Sequence, residues 1–234
     1  AYDIAQCLVG LGDVYKRQIN TVNDFSEREE MTKKDKRSRK TVRAIQDTLL
    51  RLLCTKRLRE IRIVDLCTEA DINRTTFYLH FCGLGDVLGS LRKEIVDEIF
   101  ERSEGDLISF DMPRNPLPFL TECTEVLRSY DALGNFVRLS ADADAFLAKL
   151  KDEFCNRLLD SYIAAGGGQD DAAMRIIRFL TAGVLDSYTQ WLKTDREEPF
   201  EEVLGTCTPL VAAGQKLLAR IGGKALTTIS TERE

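Results

Sequence analysis

The stretch Ile61-Arg-Ile-Val-Asp-Leu-Cys-Thr-Glu-Ala-Asp-Ile-Asn-Arg-Thr-Thr-Phe-Tyr-Leu-His-Phe81 decides the fold. Ile63, Leu66 and Cys67 recur at helical spacing on a short segment that ends near Glu69–Ala70. Asp71 then stands where a tight turn needs a left-handed residue, a conformation Asp tolerates better than most. Ile72 reads as an apolar plug between two helices, and Asn73 as a strong N-cap for the second. Phe77 and Phe81, four apart, share the buried face of that second helix. Arg74, Thr75, Tyr78 and Thr76 remain on its exposed N-terminal part. Two short helices joined by a tight turn, the second carrying small polar and basic side chains, form a helix-turn-helix. Its second helix fits a DNA major groove about 12 Å wide.

Outward from this stretch the chain reads as helices throughout. Val42, Ile45, Leu49, Leu52 and Leu53 stripe a helix over about 38–55. Leu88, Leu91, Ile95 and Ile99 mark a helix over 84–104, and Gly105, Pro113 and Pro116 mark a linker after it. Later stripes are Leu120, Cys123, Leu127 and Tyr130, then Phe146, Leu150, Phe154, Leu158 and Tyr162 behind Asp142 and Asp144. Ala173, Ile177, Leu180, Val184, Tyr188 and Trp191 form a long stripe. Phe200, Val203, Cys207, Leu210, Gly214, Leu217 and Ile221 form the last one. Pro209 either kinks that helix or opens a new one capped by Thr208. Gly214 offers a close helix approach or merely weakens its helix. Gly166-Gly167-Gly168 reads as a mobile loop, because a phosphate cradle would need a preceding strand. No segment alternates with period two, so the expected fold is all-α.

Composition narrows the function. The 234 residues are 44% apolar and 30% charged, an ordinary globular balance. No apolar run is long enough to span a bilayer, and residues 1–30 lack the pattern of a secretion signal. Seven cysteines without a C-x-x-C pair suit reduced thiols in a cytoplasm better than disulfides or a zinc ribbon. The net charge is -5, but residues 32–80 hold 13 Lys+Arg against 6 Asp+Glu. The remainder carries 20 against 32, so a basic end sits on an acidic body. That asymmetry suits a polyanion partner for the basic end, although a solvated lysine-rich leader would account for the charge alone.

The segment Ala-Asp-Ile-Asn-Arg-Thr-Thr-Phe-Tyr-Leu-His-Phe (70–81) resembles the recognition segment of the TetR/AcrR family of transcriptional regulators. The stronger resemblance covers about 38–100. A weaker one covers 117–222, where Phe179-Leu-Thr-Ala-Gly183 and Trp191-Leu192 are similar to one C-terminal subclass. The resemblance implies a three-helix N-terminal helix-turn-helix DNA-binding domain (32–82), a linking helix (83–104), a helical-bundle ligand-binding and dimerisation domain (105–222) and a tail (223–234). Residues 1–31 are expected to be a disordered or non-native leader, with Met31 as a start. By position, Asn73, Arg74, Thr75 and Thr76 would open the recognition helix, while Tyr78 and His80 would contact phosphates. The basic leader up to Lys40 would add further phosphate contacts. The chain departs from the family twice. Arg62 replaces a Ser/Thr cap worth about 1 kcal/mol, though it can offer a phosphate contact instead. Leu84 replaces a lysine at the start of the fourth helix.

The implied function is a homodimeric, ligand-responsive regulator, a repressor in most of the family, acting on a near-palindromic operator in double-stranded DNA. Stripes at about 172–193 and 199–221, with Leu180 and Val184 among them, would meet their copies in the dimer. A small-molecule effector of unknown identity would sit among helices near 117–131, 142–163 and 172–193 and bias the helix 84–104. The alternative is a protein that keeps this fold but docks other proteins, for instance as a co-activator. An enzyme lacks support. His80 is the single histidine, Cys67, His80 and Cys82 match no zinc spacing, and Glu122 with Glu125 read as a solvated face. No cofactor motif and no metal set is present.

Overall fold

The computed structural model describes residues 37–103, 115–168, 170–194 and 199–231, the side chains of 222–231 excepted. The leader 1–31 and most of the linker 105–116 lie outside the described residues. The chain divides into two units at Ala44/Ile45, and residues 37–44 are the described part of the first.

All regular structure among the described residues is helical. Helix α1 covers 37–53 and is followed by a 3-10 turn, Leu58–Glu60. Then come α2 (Ile63–Glu69), α3 (Arg74–His80), α4 (Leu84–Arg102), α5 (Leu117–Arg128), α6 (Leu133–Leu139), α7 (Ala143–Ala164), α8 (Asp171–Lys193) and α9 (Phe200–Thr231). The 3-10 turn is too short to show a period, whereas α6, as long as α2 or α3, was passed over although Leu133, Phe136 and Val137 stand at helical spacing. Those three residues anchor α6 in the core.

In the second unit, Ile45, Leu49, Leu50 and Leu53 of α1 are buried, as are Leu66 and Phe77 of α2 and α3. Leu50 takes the enclosed place that the stripe assigned to Leu52, which is half-buried. Helix α4 adds Val87, Leu88, Leu91, Ile95, Val96, Ile99 and Phe100 to the core. It packs on α5 and α7, and α7 packs on α8. Gln46 Nε2 donates to Glu94 at 2.9 Å, tying α1 to α4. The half-buried Arg92 pairs with Glu153 at 2.8 Å and lies over the Phe146 ring, tying α4 to α7.

Three expectations about glycine and proline are decided by packing. The Gly166-Gly167 step closes α7 rather than leaving a mobile loop. Gly166 is left-handed (φ 94), its N–H donates to Ile163, and the Gly167 N–H donates to Tyr162. That bond pair is a Schellman cap, and a Cβ at Gly167 would lie 2.3 Å from the Tyr162 ring. Helix α9 runs on through Pro209, and the Thr208 hydroxyl donates back to Leu204, so Thr208 does not cap a new helix. Gly214 is where α9 meets α8 closely: a Cβ there would stand 2.3 Å from Leu180 Cδ1.

Gly214→Ala should therefore fail to give the roughly 1 kcal/mol that Ala gains over Gly in a helix, because Leu180 Cδ1 must shift to admit the new methyl. Gly85→Ala, where an added methyl meets nothing within 4 Å, should be neutral or stabilising by up to about 1 kcal/mol. Urea unfolding of both variants reads the contrast.

Candidate functional site

The corner between α2 and α3 is built by backbone chemistry. Asp71 is left-handed (φ 52), alone among the described non-glycine residues. Its N–H donates to Thr68, and the Ile72 N–H donates to Cys67 at 3.0 Å, so α2 also ends in a Schellman motif. Ile72 is the half-buried plug that the sequence predicts. Asn73 Oδ1 then accepts the Thr76 N–H at 2.7 Å and the Thr76 hydroxyl at 2.9 Å, capping α3. Phe77 is fully enclosed and packs against the Phe81 ring at 5.9 Å.

With that face fixed inward, the opposite one is determined. Arg74, Thr75 and Tyr78 are exposed and Thr76 is half-buried. Tyr78 rests edge-on against Phe77, with ring centroids 5.4 Å apart, and stays half exposed. His80 is half-buried in the last turn of α3. Asn73 is exposed, but its side-chain oxygen is committed to the cap. Lys40 is exposed on α1. Sequence reading passed over Leu79, which is 77% exposed beside Tyr78. Its position two residues from each buried phenylalanine, about 200° around the helix, was the available signal.

Arg62 occupies the N-cap place of α2 and makes no side-chain cap bond, as its replacement of a Ser or Thr implies. Its guanidinium instead grips Asp65, Nε to Oδ2 at 2.9 Å and an Nη to Oδ1 at 2.7 Å. That hydrogen-bonded partner holds the Asp65 carboxyl below the usual carboxylate range. The guanidinium keeps further N–H donors beyond those two. At the start of α4, Leu84 is half-buried, and Asp86 accepts the Cys82 N–H at 2.9 Å.

A cavity of about 130 Å³ lies among α4, α5, α7, α8 and α9. Ile95 and Ile99 of α4, Leu150, Phe154 and Leu158 of α7, and Leu180 and Val184 of α8 are in its wall. Leu180 and Val184, which the sequence assigns to a contact with a second copy, are half-buried and line this cavity. Of the described residues on α8 and α9, the large apolar side chains that face outward are Phe179 (78% exposed), Leu210 (64%) and Leu217 (48%). One more contact was not foreseen. Asp142, at the N-terminal end of α7, accepts the backbone N–H of Leu58 at 2.8 Å instead of capping its own helix. Among the described residues no cluster of His, Cys, Asp or Glu is arranged to hold a metal, and no helix is long and apolar enough to cross a membrane. The six described cysteines are free thiols, and burial pushes Cys54, Cys67, Cys123 and Cys155 up in pKa.

Asp71→Val should cost about 1–2 kcal/mol because a β-branched residue resists the left-handed conformation, whereas Asp71→Gly should not destabilise. Asn73→Ala should cost about 1 kcal/mol through loss of the cap. Chemical denaturation measures all three.

No family model and no curated protein matches the sequence. Among solved structures, the chain is similar to a protein from Syntrophomonas wolfei assigned to the TetR family of transcriptional regulators. The TM-score is 0.56 at 20% identity, over 77% of this chain and 95% of that one. It is also similar to a TetR transcriptional regulator from Streptococcus agalactiae, with a TM-score of 0.51 at 20% identity, over 77% of this chain and 98% of that one. The helix order, the α2–α3 corner and the helical bundle after α4 thus give this chain the fold of the TetR-family regulators.

Proposed function

We propose that the chain is a cytoplasmic, homodimeric, ligand-responsive transcriptional repressor, and not an enzyme, that binds a near-palindromic operator through its helix-turn-helix. The observation that carries this reading is the outward face of α3, where Arg74, Thr75 and Tyr78 stand exposed on a helix whose other side is locked by Phe77 and Phe81. Arg74, Thr75 and Thr76 would reach base edges, and Tyr78, His80, Arg62 and Lys40 would meet phosphates. Asn73 would act by fixing the start of α3. The head would comprise residues 32–82, with α4 as the link to the effector domain.

Dimerisation would use the outward strip of Phe179, Leu210 and Leu217, whose exposure is otherwise unexplained. Two heads about 34 Å apart would then read successive major grooves on one side of the duplex. An effector in the apolar cavity would touch Ile95 and Ile99 of α4 together with Leu150 and Phe154 of α7. The same α7 holds Leu58 through Asp142, so a shift of α7 would be felt at the turn between α1 and α2. Coupling requires that the effector prefer one arrangement of these helices over the other.

Arg74→Ala or Tyr78→Ala should weaken binding to an operator selected from genomic fragments by about 1–3 kcal/mol while leaving the thermal midpoint unchanged. Wild-type affinity should fall steeply between low and moderate salt. A gel-shift titration at two salt concentrations reads both effects, and the absence of any salt-sensitive, competitor-resistant band would favour the protein-docking alternative. Leu210→Asp should give monomers by light scattering with the helical content retained, and a persistent dimer would place the interface elsewhere.

A further inference from the structure

The wall of the cavity specifies what can enter it. Nearly all of its accessible surface is carbon. No Asp, Glu, Arg or His is among the described residues lining it. Lys151 borders the cavity and is half-buried, but almost no polar atom is exposed in the wall, so what Lys151 adds to that wall is its methylene stem. The Thr124 hydroxyl is turned away, donating to the Leu120 carbonyl at 3.0 Å. Thr181 Oγ1 is buried without a hydrogen-bond partner among the described residues, and Gln215 also borders the space, so the polar side chains turned toward it are neutral ones. A carboxylate or ammonium entering this space would lose its hydration without meeting a counter-charge. Size sets the second limit. An apolar cavity of about 150 Å³ in another protein stays dry and takes benzene, and the volume here is about 130 Å³.

We infer that this cavity, read as the effector site of the regulator proposed above, takes an uncharged apolar molecule about the size of one aromatic ring and rejects its charged analogues. Shape selects the ring-sized body, and the missing counter-charge selects neutrality.

The test uses the full chain with toluene and benzoate, which share a ring and differ in charge. Saturating toluene should raise the thermal midpoint by about 2–4 °C. Benzoate at the same concentration should leave it unchanged, with an affinity at least about 100-fold lower by titration calorimetry. Val184→Phe and Leu127→Phe each place a ring in the space, and circular dichroism checks that they fold. Either should abolish the toluene shift. The inference is overturned if benzoate binds as well as toluene, if the toluene shift survives in both folded variants, or if toluene produces no shift. An operator gel shift on the same preparation separates the two readings. Toluene bound with no operator binding keeps the ligand class and sinks the regulator, whereas operator binding without a toluene shift does the reverse.

Discussion

The outward face of α3 depends on one corner. Asp71 accepts a left-handed backbone so that two N–H groups can close the carbonyl end of α2. Asn73 then starts α3 within two residues. Because the turn is that short, the rotation of α3 about its axis is set by where Phe77 must go, and Phe77 goes to a fully enclosed site. Removing a buried phenylalanine ring costs about 3–5 kcal/mol, whereas an exposed ion pair such as Arg62–Asp65 contributes at most about 1 kcal/mol. Apolar burial therefore aims the polar face, and the charges on it are passengers of that geometry.

The C-terminal pair α8 and α9 shows a different use of the same physics. Phe200, Leu204, Cys207 and Leu218 are buried against the bundle, a spacing close to the true helical repeat. Leu210 and Leu217 lie seven apart and are exposed. At about 100° per residue, Leu210 and Leu217 lie roughly 80–100° around the helix from Phe200 and Leu218, so the two sets belong to different faces. Gly214 sharpens the division, because its missing side chain lets α9 settle onto Leu180 and turns the leucines at 210 and 217 outward.

Helix α7 joins the parts of the second unit. Its inward residues wall the cavity, Glu153 grips Arg92 of α4, and Asp142 gives up its own helix end to hold Leu58. A carboxylate that accepts a distant backbone N–H at 2.8 Å fixes a separation that apolar contacts would leave free to slide. The cavity lies along the same helix, and an unfilled apolar space forfeits packing contacts that a ligand restores. The helices that wall the cavity are thus already linked to the turn before α2.

Much of this was legible in the residues themselves. The all-α class, the left-handed Asp71, the Asn73 cap and the inward phenylalanines follow from local rules, because φ/ψ preference and capping act within a few residues. Other features depended on what each segment meets in space. Leu180 and Val184 carry the same apolar signal whatever they face, and only the packing of the bundle shows that they border a cavity. Gly166 and Gly167 read as a loop until the Tyr162 ring is seen beside them. Asp142 reads only as an acidic residue at the start of its helix until Leu58, 84 residues away, arrives to take its carboxylate. Local conformation is written in neighbouring residues, whereas the choice of which apolar face is inside, and which carboxylate finds which donor, is a competition settled by the packed chain as a whole.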